Sequence, residues 1–235
     1  MPGCYAQAHR GLSSEVTENT IAAFEAAAKA GFQGFELDTR VTRDGEVVVL
    51  HDASLVRTTQ DGNARVAEMR YDELRSYSTK DGPVPRLDDL LARLKDWRGV
   101  WNLEVKAVKA TEPTLELAKH HDVAHRSVVS SFDPDALARA RDYAPKVARA
   151  FITTGPVDED DLAVAKDLGC TWFNLQHDQF TAQSFKQLEG RGFKLAAWTV
   201  NDPARAVMLA AKGVASIITD RRDVCAALGE QKAFV

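Results

Sequence analysis

The chain has 235 residues, 45% of them hydrophobic and 27% charged, with a formal net charge of −4. About 200–250 residues is ordinary for an α/β barrel, so one sizeable core and a single domain over 1–235 are expected. The acidic balance leaves no basic footprint, which argues against nucleic acid as a partner, and Cys4, Cys170 and Cys225 are too scattered for a disulfide framework or zinc knuckle.

Met1-Pro2-Gly3-Cys4 has no basic run followed by an apolar one, and no stretch approaches the ~20 apolar residues of a membrane span. The expectation is a cytoplasmic protein without stable membrane insertion. Oligomeric state leaves no mark in the sequence.

Tyr5 to His9 reads as the first strand. Glu18-Asn19-Thr20 then leads into an alanine-rich helix from Ile21 to Ala30, closed by Gly31, with Asn19 or Thr20 as its N-cap. In the second strand, Gly34 to Thr39, Glu36 and Asp38 are two residues apart and share one face, while Phe35 and Leu37 take the other. Two carboxylates so placed outline a cation site. Asp44-Gly45, between Thr39–Arg43 and Glu46–Leu50, is a strong hairpin signal. Taken as a two-residue loop, it faces Arg43 with Glu46 and brings His51 opposite Asp38.

From Ala53 to Arg98 no central strand is predicted. A polar loop at Gln60-Asp61-Gly62-Asn63, a helical Tyr71 to Tyr77, two prolines and then Leu87 to Trp97 read as an insertion at about 53–98, passing over the barrel mouth and returning through a helix. The third strand, Val100 to Val105, opens Asn102-Leu103-Glu104-Val105-Lys106, where Glu104 and Lys106 share a face. A buried carboxylate and ammonium each need a partner. Glu36, Asp38 and Glu104 supply three hard oxygen ligands suited to one divalent cation, Mg²⁺ or Ca²⁺, and Arg10 and Lys106 are free to meet a phosphate.

Ser127 to Phe132, Val147 to Ile152, Thr171 to Leu175, Lys194 to Val200 and Ala215 to Thr219 complete eight strands. Helices opening at Asp133-Pro134, Asp158, Thr181 and Asp202-Pro203 alternate with them. This rhythm predicts a (β/α)8 TIM-type barrel with a β-hairpin after strand 2 and a small insertion over the mouth. His121 and His125 have a metal-ligand spacing without a third ligand nearby, so surface or capping roles are expected. His177 stands between a loop role and the mouth. Trp198 suits either the core or the apolar wall of a pocket. Phosphate-cradling glycine loops, the nucleophile-elbow pattern and dinucleotide fingerprints are absent.

Ala8-His9-Arg10-Gly11, Glu18-Asn19-Thr20, Glu36-Leu37-Asp38, Asp44-Gly45, His51-Asp52, Arg57-Thr58-Thr59, Asn102 to Lys106, Ser130-Ser131-Phe132, Trp198 to Asn201 and Ile217 to Asp220 together resemble the glycerophosphodiester phosphodiesterase family. The resemblance spans nearly the whole chain. It implies metal-assisted hydrolysis of a small-molecule glycerophosphodiester to glycerol 3-phosphate and an alcohol. By the same resemblance His9 and His51 are the acid/base pair, Glu36, Asp38 and Glu104 hold Mg²⁺ or Ca²⁺, and Arg10 and Lys106 contact the phosphate; Trp198, as a pocket wall, is expected to contact the substrate. Arg86, where the family commonly has threonine, and Ala215-Ser216, where Asp-Gly is common, depart from the pattern and leave head-group preference open.

One histidine must remove a proton while the other donates one, so the two begin in opposite protonation states. Which begins as base stays open. Two other classes share some of these features: a catalytically silent barrel that binds a phosphorylated ligand, and a metal-dependent lyase or aldolase barrel. Neither needs a pair of histidines flanking a phosphate.

Overall fold

The computed structural model describes residues 3–59 and 64–231, so the loop expected at Gln60 to Asn63 lies outside the described residues. Eight parallel strands alternate with helices. They are β1 (Tyr5–His9), β2 (Gly34–Val41), β3 (Val100–Val105), β4 (Ser127–Ser131), β5 (Ala148–Thr153), β6 (Trp172–Gln176), β7 (Lys194–Trp198) and β8 (Ser216–Thr219). Each pairs with the next, and β1 pairs with both β2 and β8, so the sheet closes into the expected barrel. Predicted strand ends move by no more than two residues.

The outer ring consists of α1 (Ile21–Lys29), α2 (Leu87–Arg93), α3 (Thr111–His120), α4 (Pro134–Tyr143), α5 (Glu159–Asp167), α6 (Ala182–Leu188), α7 (Pro203–Ala211) and α8 (Arg222–Gln231). Thr20, not Asn19, caps α1: its hydroxyl accepts from the Ala23 N–H at 3.2 Å. Asp133, Asp158, Thr181 and Asp202 cap α4 to α7 in the same manner, each satisfying one of the helix's orphan donors. The helical signal at Tyr71 to Tyr77 yields only Tyr71–Leu74, after which two-residue strands pair as a small ribbon.

Period-two alternation sorts the strand side chains. Phe35, Leu37, Trp101, Leu103 and Phe173 face the helices in the main core. Val128, Ala150, Trp172, Ala196 and Ile218 fill the barrel interior below the site. A third cluster, Val48, Leu50, Leu55, Val66, Met69, Leu74 and Val84, joins the hairpin to the excursion that follows it. Hairpin and excursion therefore share a small second core.

The hairpin corrects one expectation. Its outer strand, Val47–Val49, is antiparallel to β2, but Thr39 faces Val49 and Val41 faces Val47. Thr42 N–H donates to Glu46 O at 2.9 Å, so the loop has three residues, Arg43-Asp44-Gly45, and Gly45 has a φ of +91°. A turn followed by a left-handed glycine is the standard three-residue hairpin. The Asp44 carboxylate selects it by accepting from the Thr42 hydroxyl at 2.7 Å and the Tyr71 N–H at 3.0 Å. The register slips by one residue, and Leu50, not His51, lies opposite Asp38, donating to its carbonyl at 3.0 Å.

Candidate active site

Strand register assembles the acidic cluster at the C-terminal end of the barrel. His9 faces Glu36 across β1 and β2, while Glu36 faces Asn102 and Asp38 faces Glu104 across β2 and β3. Each of Glu36, Asp38 and Glu104 offers an oxygen within 4.8 Å of the others. Asp38 is fully buried and Glu36 nearly so. Burial, with the charges of Asp38 and Glu104, drives the Glu36 carboxyl well above its ordinary range; burial and Asp38 also raise Glu104 against the pull of Lys106. Glu36 Oε1 and Asp38 Oδ1 are buried without a hydrogen-bond partner. Hard oxygens so clustered and left unpaired suit a divalent cation.

Two cations edge the cluster, and a third stands behind them. Lys106 Nζ lies 2.6 Å from Glu104 Oε1, 3.8 Å from Asp38 Oδ1 and 3.2 Å from His51 Nε2. Arg10, at φ +58°, turns the chain so that its N–H meets both the Glu36 carbonyl at 2.9 Å and its carboxylate at 3.1 Å. Its Nε sits 3.2 Å from Asp38 Oδ2 and its Nη1 donates to Glu18 at 3.1 Å. Arg57, from the excursion, grips Glu18 and Asp52.

Gly11 makes the Arg10 turn possible. A Cβ there would stand 2.6 Å from the Ala23 Cβ, and its φ of +83° is one that side chains resist. Close approach lets Leu12 N–H donate to Ala23 O at 3.0 Å, which docks the loop on α1. Asn19, at φ +57°, returns the chain to Arg10 O at 2.8 Å and donates its amide to Asp38 Oδ2 at 2.8 Å. The residue read as a possible helix cap is instead a support of the acidic cluster.

Each histidine is held through Nδ1 by an aspartate. His9 meets Asp220 at 2.7 Å and His51 meets Asp52 at 2.6 Å, leaving both Nε2 atoms toward the cavity. Asp220 also accepts from Ser13 at 2.8 Å and Asn201 at 2.6 Å. Burial alone would raise its carboxyl, but these donors and the His9 charge overcome that and bring it down to about 2. Burial lowers the His51 imidazole, helped by Arg10 and Lys106, despite the opposing pull of Asp38 and Asp52.

His9, Arg10, Glu36, His51, Glu104, Lys106 and Trp198 all border one cavity of about 220 Å³. Its polar floor includes Asn102, Ser130 and Asn174, and Phe132 and Trp198 meet edge to face at 5.6 Å on one wall. Trp198 is thus a wall residue. His121 pairs with Asp88 at 2.7 Å and His125 lies 3.7 Å from Asp122, both away from this cavity. His177 begins a short 3-10 turn, and its carbonyl accepts from Arg205. Arg86 forks onto Asp89 and lies over the Tyr71 ring, also away from the cavity.

The comparisons with known proteins agree with one another. The glycerophosphoryl diester phosphodiesterase family model matches residues 9–224. A Mycobacterium tuberculosis protein named as a probable glycerophosphodiester phosphodiesterase is 32% identical over 97% of this chain and 93% of its own. A Caldanaerobacter subterraneus glycerophosphodiester phosphodiesterase is 30% identical over 91% of this chain and 92% of its own. An Oleispira antarctica phosphodiesterase, in complex with the product sn-glycerol-3-phosphate, shares the fold at a TM-score of 0.89 and 24% identity, with 97% of each chain covered. With its family model spanning most of its length and with relatives at this identity, the chain belongs to the glycerophosphoryl diester phosphodiesterase family.

Proposed function

We propose the residue roles by which this chain performs its family's reaction, hydrolysis of a glycerophosphodiester to glycerol 3-phosphate and an alcohol. The reading is carried by one observation: two aspartate-held histidines, two cationic side chains and the carboxylates Glu36 and Glu104 border the same small cavity, with Asp38 buried beside them in one cluster. Glu36, Asp38 and Glu104 would hold one divalent cation, Mg²⁺ or Ca²⁺. When bound, that ion supplies charge that offsets the build-up on the phosphate oxygens.

Arg10 and Lys106 bind and orient the phosphate, their charges set against its non-bridging oxygens. The Lys106 ammonium can only donate, so the His51 Nε2 that it meets at 3.2 Å presents a lone pair, with the proton on Nδ1 toward Asp52. His51 therefore begins as the base and removes the nucleophile's proton. His9, held between Asp220 and Glu36, begins with the proton and delivers it from Nε2 to the leaving oxygen. Trp198 and Phe132 wall off water on one side.

A free, deacylated diester is the proposed substrate. Among the described residues no helix is long and apolar enough to cross a membrane. A cytoplasmic location belongs to the same proposal, in keeping with an odd number of scattered cysteines. Incubation with glycerophosphocholine and Mg²⁺, followed by an enzymatic assay for glycerol 3-phosphate, tests the function directly. Stoichiometric glycerol 3-phosphate is the expected product; binding without turnover would favour the silent barrel, and a carbon-carbon cleavage product a lyase.

A further inference from the structure

Three charged groups outside the cavity lining connect residues inside it. Asp52 holds His51 Nδ1 with Oδ1 and accepts from Arg57 Nε with Oδ2, both at 2.6 Å. Arg57 then forks onto Glu18, its Nη1 and Nη2 reaching the two carboxylate oxygens at 2.9 and 2.8 Å. Glu18 Oε1 also accepts from Arg10 Nη1 at 3.1 Å. Charges alternate along the path from Asp52 to Arg10. The fork geometry is one that guanidinium alone can supply, because a lysine would reach only one of the two carboxylates well.

We propose that Arg57 is a positioning residue of the phosphodiesterase reaction: through Asp52 it fixes the His51 imidazole, and through Glu18 it fixes Arg10. The inference rests on the reading of His51 as base. Its physical content is that Asp52 follows His51 directly in a bend beyond the hairpin strand, where no regular hydrogen-bond ladder holds it. Orientation of its carboxylate then depends on the side-chain partner. Likewise Arg10 has a strained backbone and a long side chain, which Glu18 anchors at the tip. One guanidinium from the excursion thus sets a proton-transfer group and a phosphate-binding group at once. A misplacement of about 1 Å in such groups costs on the order of 10²-fold in rate.

The variants Arg57→Ala, Arg57→Lys, Asp52→Asn and Arg57→Ala/Asp52→Asn decide the matter, assayed with glycerophosphocholine and saturating Mg²⁺. Arg57→Ala is expected to lower kcat by roughly 10- to 100-fold, with Arg57→Lys recovering only part of the loss. In the Asp52→Asn background, Arg57→Ala should cost clearly less than it does in the wild type, because the branch through Asp52 is already lost and only the branch through Glu18 to Arg10 remains. Since Arg57 is half exposed, guanidinium ion at low millimolar concentration should restore part of kcat to Arg57→Ala and a smaller part to the double variant. Full additivity, or kcat within twofold of wild type in Arg57→Ala, would overturn the proposal. A kcat loss that tracks a fall in Tm and resists guanidinium would overturn it too, by assigning Arg57 to general stability. Absence of turnover in the wild-type enzyme would instead refute the functional reading on which it rests.

Discussion

With a cation on the cluster as proposed, proton and cation would compete at Glu36. Its carboxyl lies well above the ordinary value of 4.5 because burial and two neighbouring carboxylates disfavour its charge. The metal-free folded state therefore binds more protons than the unfolded chain at pH above that value, and its stability falls as pH rises through the shifted range. A bound cation removes that loss and displaces the proton. The Tm gain on adding Mg²⁺ or Ca²⁺ is thus expected to be larger at pH 8 than at pH 5, and calorimetry in buffers of different ionisation enthalpy should register net proton release on binding. Equal gains with no proton release would mean that the cation sits elsewhere.

The histidines lead to a second expectation at this scale. A base whose conjugate acid is depressed stays competent to lower pH, so the acid limb of kcat/KM should lie below 6.5, the ordinary histidine value. A limb above 6.5 would assign the base elsewhere. His9→Ala and His51→Ala should each cut turnover by about 10²–10⁴-fold, and His121→Ala, whose partner is Asp88, should do little. Asp220→Asn should cost at least about tenfold, because an amide at 2.7 Å from Nδ1 no longer stabilises the charged imidazole. The carboxylates were legible in the sequence because a strand repeats every two residues, which places Glu36 with Asp38 and Glu104 with Lys106. Asp220 was not, since its meeting with His9 exists only once the last strand closes against the first.

Turns, caps and helix ends show what single elements can and cannot disclose. Asp133-Pro134 and Asp202-Pro203 carry their own instructions, and both begin helices. The hairpin signal was equally local, yet the Asp44 side chain added a residue to the loop by bonding Thr42 and, from the excursion, Tyr71. A distant partner thereby shifted the register. Buried Arg149 was also silent in sequence; it donates to the carbonyls of Leu168 and Gly169 just past α5 at 2.9 and 3.0 Å, serving as that helix's C-terminal cap. Gly11 allows a sharp test of an element contact. Gly11→Ala must fit a methyl 2.6 Å from the Ala23 Cβ at a left-handed φ, and should cost about 1–3 kcal/mol in urea unfolding together with most of the activity. An unchanged unfolding midpoint would show that the loop relaxes freely.

At the scale of the whole molecule, the barrel was readable from its eight alternations because each parallel strand needs a crossover long enough to hold a helix. The excursion was less so. Its short elements become ordered by sharing a cluster with the hairpin, and they reach the site through long-range contacts, Arg57 to Glu18 and Asp81 to the Thr17 N–H and hydroxyl at 2.7 and 2.6 Å. The eight barrel strands and His51, just past the hairpin, bring side chains to one cavity, which the excursion supports from outside. The proposed chemistry requires a cation on the acidic cluster for turnover. Glycerol 3-phosphate release from glycerophosphocholine should be measured in enzyme stripped by chelator and verified metal-free, then again after Mg²⁺ or Ca²⁺ is restored. Loss of turnover on stripping and recovery on restoration is the expected result, with no recovery in Glu36→Ala; full activity in the metal-free wild type would contradict the account.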